Sequence, residues 1–254
     1  MSRTPSRTPA VITVLAMLAA GCAAAGSPRH DRRVVVFAAS SLSRAFGELG
    51  RRFAADNPGA EVEFSFAGSA DLITQLTQGA AADVFAAADS ATMNRVVRDG
   101  LVSGDPVDFA SNRLTIAVAP GNPKGIGSLA DLNRPGLAVV LCAPQVPCGA
   151  AATEVQRAAG VQLDPVSEES QVTDVLQKVI SGQADAGLVY VTDVLAAGDR
   201  VGAVAIPDAS AAANVYSIAV LGQSGAVDLA RRFVDLVIGE AGGQILTAAG
   251  FGAP

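Results

Sequence analysis

The chain has 254 residues, a formal net charge of −6 and a hydrophobic content of 50%. This length suffices for one large domain or for two lobes with cores of their own. The acidic balance excludes the basic surface that is typical of a nucleic-acid-binding protein. Aromatic residues make up 4% of the chain, and its abundant small residues are typical of helices packed closely on a sheet.

The N-terminal segment has the features of an export signal followed by a tether. Arg3 and Arg7 precede the apolar run "AVITVLAMLAA", which is short for a membrane span and fits a secretory signal. The following "LAAGC" resembles the lipobox of bacterial lipoproteins, so we expect residues 1–21 to be a signal peptide and Cys22 to carry lipid. Residues 22–32 would then tether the protein to the cell membrane, facing the periplasm or the cell exterior. An ordinary cleaved signal with an incidental cysteine is the alternative.

From residue 33 onward, short β-type runs alternate with helical segments. "VVVFAA" is followed by a predicted helix over Leu42–Ala54, in which Ala45, Leu49 and Phe53 recur at helical spacing. "AEVEFSFAG" and "ADVFAAAD" lead into the helices "SADLITQLTQG" and "SATMNRVVRDG", and a second strand–helix series begins at "GLAVVLCAP". This alternation predicts an α/β fold with mostly parallel sheets flanked by helices.

Two long predicted strands, "RLTIAV" and "VYSIAVL", bracket the middle third of the chain. If both cross between lobes, residues 33–112 and 217–254 form the first lobe and residues 113–216 form the second. This arrangement places a cleft between the lobes and a two-strand hinge beside it, a geometry suited to closing over a ligand. A single doubly wound domain is the alternative.

Small residues occur at four places where a strand gives way to a helix. A serine at such a place is often a helix cap, because its hydroxyl satisfies a free backbone N–H group. Helix N-termini also carry partial positive charge and unpaired N–H donors, so several of them together can bind an anion. The lack of Lys and Arg beside them indicates a fully ionised, compact dianion that only accepts hydrogen bonds. The four segments are Ser40–Ser41, Gly68–Ser69, Pro147–Gly149 and Ser170–Val172.

Several motifs, in order along the chain, resemble one known family. They are "VVVFAASSL", "FSFAGSADL", "GAAADVFAAAD", "APQVPCGAAA", "ESQVTDVL" and "ADAGLVYVTDV", with "ILTAAGFGAP" at the end. Together they are similar to the molybdate-binding proteins of ABC importers, the ModA family, and sulfate-type binders share parts of the pattern. The resemblance implies a two-lobed type II periplasmic-binding-protein fold with an oxyanion in the cleft. It further implies a protein without cofactor that binds molybdate or tungstate, acts as a monomer and delivers the anion to an ABC permease and its ATPase.

The resemblance also implies which residues hold the anion. Ser41 and Ser69 match two serines that bind it through hydroxyl and backbone N–H groups. Cys148 and Val172 match two backbone N–H donors of the second lobe, and Tyr190 matches a tyrosine hydroxyl. Cys148 departs from the alanine common in the family, a change that a backbone donor tolerates. Tyr190 could also be a core tyrosine whose hydroxyl needs a partner.

The two cysteines of the body, Cys142 and Cys148, flank the loop "CAPQVPC". In an exported protein a disulfide between them can persist and would stiffen this turn. Two free thiols, with Cys142 in the core, are the alternative. We expect no direct metal ligands, because the single histidine, His30, lies in the tether and no carboxylates cluster at these cysteines.

Two other functions fit parts of the sequence. A sulfate or thiosulfate binder would use the same kind of site. In that case the size of the pocket would have to determine whether sulfate or molybdate binds. An exported serine hydrolase would use Ser41 or Ser69 as nucleophile and would need a base beside it. The chain has no histidine after His30, no G-x-S-x-G motif and no S-x-x-K motif. We therefore expect a binding protein and not an enzyme.

Overall fold

The computed structural model describes residues 32–207 and 212–254, together with Met1. The rest of the predicted signal peptide, the lipidation site Cys22 and the tether up to residue 31 lie outside the described residues. Among the helices of the described ranges, none has both the length and the apolar character needed to cross a membrane.

Ten strands and eight α-helices follow one another along the described chain. The strands are β1 (Arg33–Ala39), β2 (Glu61–Ala67), β3 (Val84–Ala87), β4 (Val107–Asn112), β5 (Leu114–Val118), β6 (Val139–Cys142), β7 (Ser167–Glu169), β8 (Ala186–Tyr190), β9 (Gly202–Val204) and β10 (Asn214–Val220). The helices are α1 (Ser43–Asp56), α2 (Ser69–Thr77), α3 (Ser90–Arg98), α4 (Pro147–Ala159), α5 (Val172–Ile180), α6 (Val191–Ala197), α7 (Val227–Ile238) and α8 (Glu240–Ala248).

The strands form two sheets with the same pattern of directions. The first lobe has the strand order β2-β1-β3-β10-β4, in which β1 is parallel to β2 and β3, and β10 is antiparallel to β3 and β4. The second lobe has the order β7-β6-β8-β5-β9, in which β6 is parallel to β7 and β8, and β5 is antiparallel to β8 and β9. The prediction of two lobes flanked by helices is confirmed.

The prediction of mostly parallel sheets is confirmed in strand direction, since four of the five strands of each sheet run the same way, and one reversed strand, β10 or β5, makes each sheet mixed. Parallel neighbours are joined by a helical crossover that returns the chain to the same edge, as α1 does between β1 and β2. Strands β5 and β10 are instead the first strands after the chain has left the other sheet, and they run antiparallel to their neighbours. The sequence pattern cannot reveal this direction, since both kinds of buried strand are apolar.

The chain passes between the lobes at two places. The first passage is at Arg113, between the end of β4 in one sheet and the start of β5 in the other. The second lies between β9 and β10. The two long predicted strands therefore do not themselves cross, since each pairs within a single sheet. Residues 214–216, which the predicted boundary assigns to the second lobe, belong to the first-lobe strand β10.

Each lobe has its own hydrophobic core. In the first lobe, alternate residues of β1 enter different clusters, so the cores lie on opposite faces of the sheet. Helix α1 buries Ala45, Phe46, Leu49 and Phe53 on one face, so the three residues predicted at helical spacing, Ala45, Leu49 and Phe53, all face the core. In the second lobe one cluster includes Ile116, Val155 and Val175. No cluster of buried residues is shared by the two lobes, so the cleft lies between two separately packed units.

Candidate functional site

A small cavity lies between the lobes, at the ends of strands from both sheets. Its volume is about 20 Å³, somewhat more than the roughly 10–15 Å³ that one water molecule needs. Pockets for organic ligands measure about 300–1,000 Å³, so this cavity suits a compact ion. It brings together all five residues singled out from the sequence. The lining residues are Ala39, Ser40, Ser41, Ala67, Gly68, Ser69 and Ala88 of the first lobe, and Pro147, Cys148, Ser170, Gln171, Val172 and Tyr190 of the second.

The two serines of the first lobe meet because their strands are parallel neighbours in register. Ala39 of β1 pairs with Ala67 of β2, and each serine comes two residues later, Ser41 in a 3₁₀ turn and Ser69 as the first residue of α2. Parallel strands end at the same edge of the sheet, so both hydroxyls lie at one side of the cavity.

Neither serine caps its helix. The 3₁₀ turn, α1 and α2 each lack a side-chain cap, in contrast to α3, where Asp89 accepts a hydrogen bond from the Thr92 N–H at 2.7 Å. Ser41 Oγ instead lies 2.9 Å from the hydroxyl of Tyr216, and Ser69 Oγ accepts a hydrogen bond from the Ala88 N–H at 3.2 Å. The hydroxyl proton of Ser69 is therefore free to point into the cavity.

The second lobe contributes two helix N-termini. Helix α4 begins at Pro147 and helix α5 at Val172, and neither has a side-chain cap. N–H groups in the first turn of a helix have no partner within that helix, which leaves those of Cys148 and Val172 available to a ligand. Pro147, which has no N–H, occupies the first position of α4 and loses no donor there.

A disulfide joins Cys142 at the end of β6 to Cys148 in the first turn of α4, with the two Cα atoms 5.7 Å apart. The bridge spans the predicted loop and holds the start of α4 against its own sheet. Of the two alternatives raised by the sequence, the structure has the bridged one.

Tyr190 ends strand β8 and is 1% exposed. The residue lines the cavity, and its hydroxyl has no hydrogen-bond partner among the residues that the structure describes. Burial raises the pKa of Tyr190 well above its ordinary value, and the neighbouring Tyr216, Asp193 and Asp89 raise it further. The hydroxyl therefore keeps its proton and remains a donor. A buried donor without an acceptor is costly, so this group is suited to an acceptor placed in the cavity.

No charged side chain is among the residues that line the cavity. Its donors are hydroxyl and backbone N–H groups, held by elements of both lobes. Acidic residues in the first turns of α2 and α5, Asp71 and Asp174, lie outside the lining. Within the described ranges, no group of three or more His, Cys, Asp or Glu residues could hold a metal ion. The cavity can bind an anion by hydrogen bonds without a counter-charge.

Sequence reasoning missed Tyr216, whose hydroxyl touches Ser41. It is one of two tyrosines in the chain, and it lies in the apolar strand β10, 175 positions after Ser41. Tyr216 lies in an otherwise apolar run, and a buried tyrosine hydroxyl usually has a hydrogen-bond partner. This feature of the sequence could have indicated that Tyr216 contacts another polar group.

Comparison with known proteins identifies relatives over nearly the whole chain. A family model described as bacterial extracellular solute-binding protein matches residues 34–252. The molybdate-binding protein ModA of Mycobacterium tuberculosis (strain ATCC 25618 / H37Rv) is 53% identical over 251 residues, which cover 95% of this chain and 96% of that relative.

Two solved structures share the fold. The periplasmic molybdate-binding protein of Azotobacter vinelandii has a TM-score of 0.76 at 22% identity, over 87% of this chain and 99% of that one. The sulfate-binding protein SubI of Mycobacterium tuberculosis H37Rv has a TM-score of 0.74 at 20% identity, over 86% of each chain. These likenesses establish the type II binding-protein fold and do not separate the two anions. The family match and the 53% identity go further: the chain belongs to the bacterial extracellular solute-binding proteins and, within them, to the ModA family.

Proposed function

We propose that the protein binds molybdate, and tungstate with it, in the cavity between the lobes and delivers the anion to an ABC permease. The hydroxyls of Ser41, Ser69 and Tyr190 and the backbone N–H groups of Cys148 and Val172 are the proposed donors. The anion is the ligand, and no cofactor or catalytic step is assigned to these residues. The name of the 53% identical relative supports molybdate as the anion.

The observation that carries the proposal is that Tyr190 lines the cavity and that its buried hydroxyl has no hydrogen-bond partner in the described part of the protein. An oxyanion oxygen in the cavity would accept its proton and remove the cost of leaving it unpaired. Hydrogen bonds to a charged acceptor are also stronger than those between neutral groups.

The kind of donor favours one class of anion. Hydroxyl and N–H donors satisfy an oxyanion that has lost all its protons, and at neutral pH molybdate, tungstate and sulfate are of this class. Phosphate keeps a proton near neutral pH and needs an acceptor, which would have to come from a hydroxyl lone pair. Sulfate has the charge and shape of molybdate but shorter bonds, so the size of the closed cavity would separate the two.

We further propose that the protein acts outside the cytoplasm as a lipid-anchored monomer. Support comes from the sequence, where "LAAGC" ends at Cys22, and from the family, whose description is extracellular. Labelling of the expressed protein with palmitate, compared with a Cys22→Ser variant, tests the anchor. Loss of label in the variant is expected, whereas equal label in both would contradict it.

Calorimetric titration of the ligand-free protein with molybdate, tungstate, sulfate and phosphate tests the function. We expect one molybdate or tungstate per protein, with sulfate binding more weakly and phosphate most weakly. Tighter binding of sulfate than of molybdate would make the protein a sulfate binder. Absence of binding by all four anions would overturn the proposal.

A further inference from the structure

Tyr216 contacts Ser41 and does not itself line the cavity. It belongs to β10 and is fully buried, with an exposure of 0%. Its hydroxyl and Ser41 Oγ are 2.9 Å apart, whereas Ser41 itself lines the cavity and Tyr216 does not. Ser41 is therefore placed between a buried hydroxyl and the proposed anion.

The burial of Tyr216 decides which of the two hydroxyls donates. If Ser41 donated to Tyr216, the Tyr216 proton would need another acceptor, and Ser41 Oγ is the acceptor within hydrogen-bond distance of it in the described residues. The other polar groups that face the Tyr216 hydroxyl are the Asn112 side chain, whose amide oxygen already accepts from the Arg113 N–H, and the Tyr190 hydroxyl, whose own proton lacks an acceptor. A buried proton without an acceptor is costly. Ser41, in contrast, faces a cavity in which water or an anion can accept its proton. The favoured arrangement is thus Tyr216 donating to Ser41, and Ser41 donating into the cavity.

The position of Tyr216 is fixed by its surroundings. The pairing of β10 with β4 shifts register between Tyr216 and Ser217, and such bulges re-aim side chains near functional sites. The ring packs edge-on against Phe251 at 5.3 Å and against Tyr190, the other tyrosine, at 6.1 Å between centroids. These contacts involve the ring and not the hydroxyl, so a phenylalanine retains them.

We infer that Tyr216 is a positioning and specificity-determining residue, which donates to one lone pair of Ser41 Oγ and so directs the Ser41 proton into the cavity and leaves this oxygen a poorer acceptor. The inference rests on the proposed function. Hydrogen bonds in such a chain strengthen one another, so Tyr216 also makes Ser41 a better donor. Without the Tyr216 hydroxyl, both lone pairs of Ser41 Oγ are free and its proton can rotate away from the cavity, so that it accepts more readily from a protonated oxyanion such as hydrogen phosphate.

A double-mutant cycle tests this role, with Tyr216→Phe, Ser41→Ala and the double variant titrated with molybdate and with phosphate. We expect Tyr216→Phe to weaken molybdate binding about three- to tenfold, the range of one net hydrogen bond. In the Ser41→Ala background the same change should have no further effect, because Tyr216 acts through the Ser41 hydroxyl. The preference for molybdate over phosphate should also fall in Tyr216→Phe, an effect that altered packing alone would not produce.

The outcomes separate this inference from the proposed function. Equal losses in both backgrounds would mean that Tyr216 acts through packing, and unchanged affinity in Tyr216→Phe would mean that it does not act on the anion. Either result overturns the inference while molybdate binding by the wild type stands. If the wild type binds sulfate in place of molybdate, the cycle is run with sulfate. If the wild type binds none of the anions, both the proposed function and this inference are contradicted.

Discussion

Gly68 and Ser170 approach each other across the cleft so closely that a β-carbon on Gly68 would lie 2.4 Å from the Ser170 carbonyl oxygen. Gly68 precedes α2 in the first lobe, and Ser170 lies between β7 and α5 in the second. The backbone angles of Gly68, φ −58° and ψ 136°, are accessible to any residue. The space between the lobes, and not the backbone conformation, therefore requires glycine at this position.

Gly68→Ala should hold the lobes apart. We expect the variant to fold, but to bind molybdate about tenfold more weakly or worse, because the closed state becomes less populated. Small-angle scattering of the wild type should show a smaller radius of gyration with molybdate than without, and the variant should lose most of this change. Gly47→Ala is the matched control, since a β-carbon there has no neighbour within 4 Å. Closure and affinity like those of the wild type in Gly68→Ala would contradict the expectation.

Ser69→Ala should weaken binding without unfolding the protein. The variant removes one hydroxyl donor from the cavity and the acceptor of the Ala88 N–H. We expect a loss of affinity of about ten- to a hundredfold, measured by calorimetry, since hydrogen bonds to charged groups contribute roughly 1.5–3 kcal/mol. Thr74→Ala, on the exposed side of the same helix, is the control and should bind like the wild type. A Ser69→Ala variant with full affinity would remove this residue from the proposed site.

Tyr190→Phe should act on affinity and on stability in different ways. The unpartnered hydroxyl contributes nothing to the ligand-free closed structure, so its removal should leave the melting temperature unchanged or slightly raised. Molybdate affinity should fall about tenfold or more, because the anion loses a buried donor. Thermal melts without ligand and titrations with it measure the two effects separately. A clear drop in the melting temperature of the ligand-free variant would instead indicate a structural role for the hydroxyl.

These sites differ in how far the sequence alone could predict them. Ser41 and Ser69 could be paired before the structure was known, because each follows a strand of a predicted parallel series, and parallel strands end at one edge. The contact between Ser41 and Tyr216 could not be predicted from the sequence. It requires β10 to return to the first sheet in antiparallel direction, with a register shift beside Tyr216. Local patterns define strands and helix starts, but the order and direction of strands depend on packing between distant segments.

The disulfide between Cys142 and Cys148 should support both stability and the donor geometry of α4. The bridge closes a short loop, with a sequence separation of 6, and loops of this size correspond to a stabilisation of about 2 kcal/mol. Reduction should lower the melting temperature and weaken molybdate binding modestly, because the first turn of α4 loses its tether. A Cys142→Ser/Cys148→Ser variant should behave like the reduced protein and should not respond to reductant. A response of that variant to reductant would assign the effect to something other than the bridge.

Asp193 should make the stability of the protein depend on pH. Burial raises the pKa of this carboxyl from 3.8 to about 7, and a hydrogen bond from the Tyr190 N–H opposes the rise. Below pH 4 the carboxyl is protonated in the folded and in the unfolded chain, and its full contribution to stability is present. Between pH 4 and 7 the unfolded chain releases the proton while the folded chain retains it, so the free energy of unfolding falls as the pH rises. Above pH 7 the loss is complete.

Asp193→Asn isolates this effect, because the amide oxygen can still accept the hydrogen bond from the Tyr190 N–H but the side chain cannot ionise. We expect the stability of the variant relative to the wild type to increase between pH 4 and 7, by an amount on the order of a few kcal/mol, and to level off above that range. Urea denaturation of both proteins across this range measures the difference, in which the contributions of all other titrating groups cancel to first order. A difference that stays constant from pH 4 to 8 would mean that the Asp193 carboxyl ionises equally in the folded and unfolded chains, and that water reaches it in the folded protein.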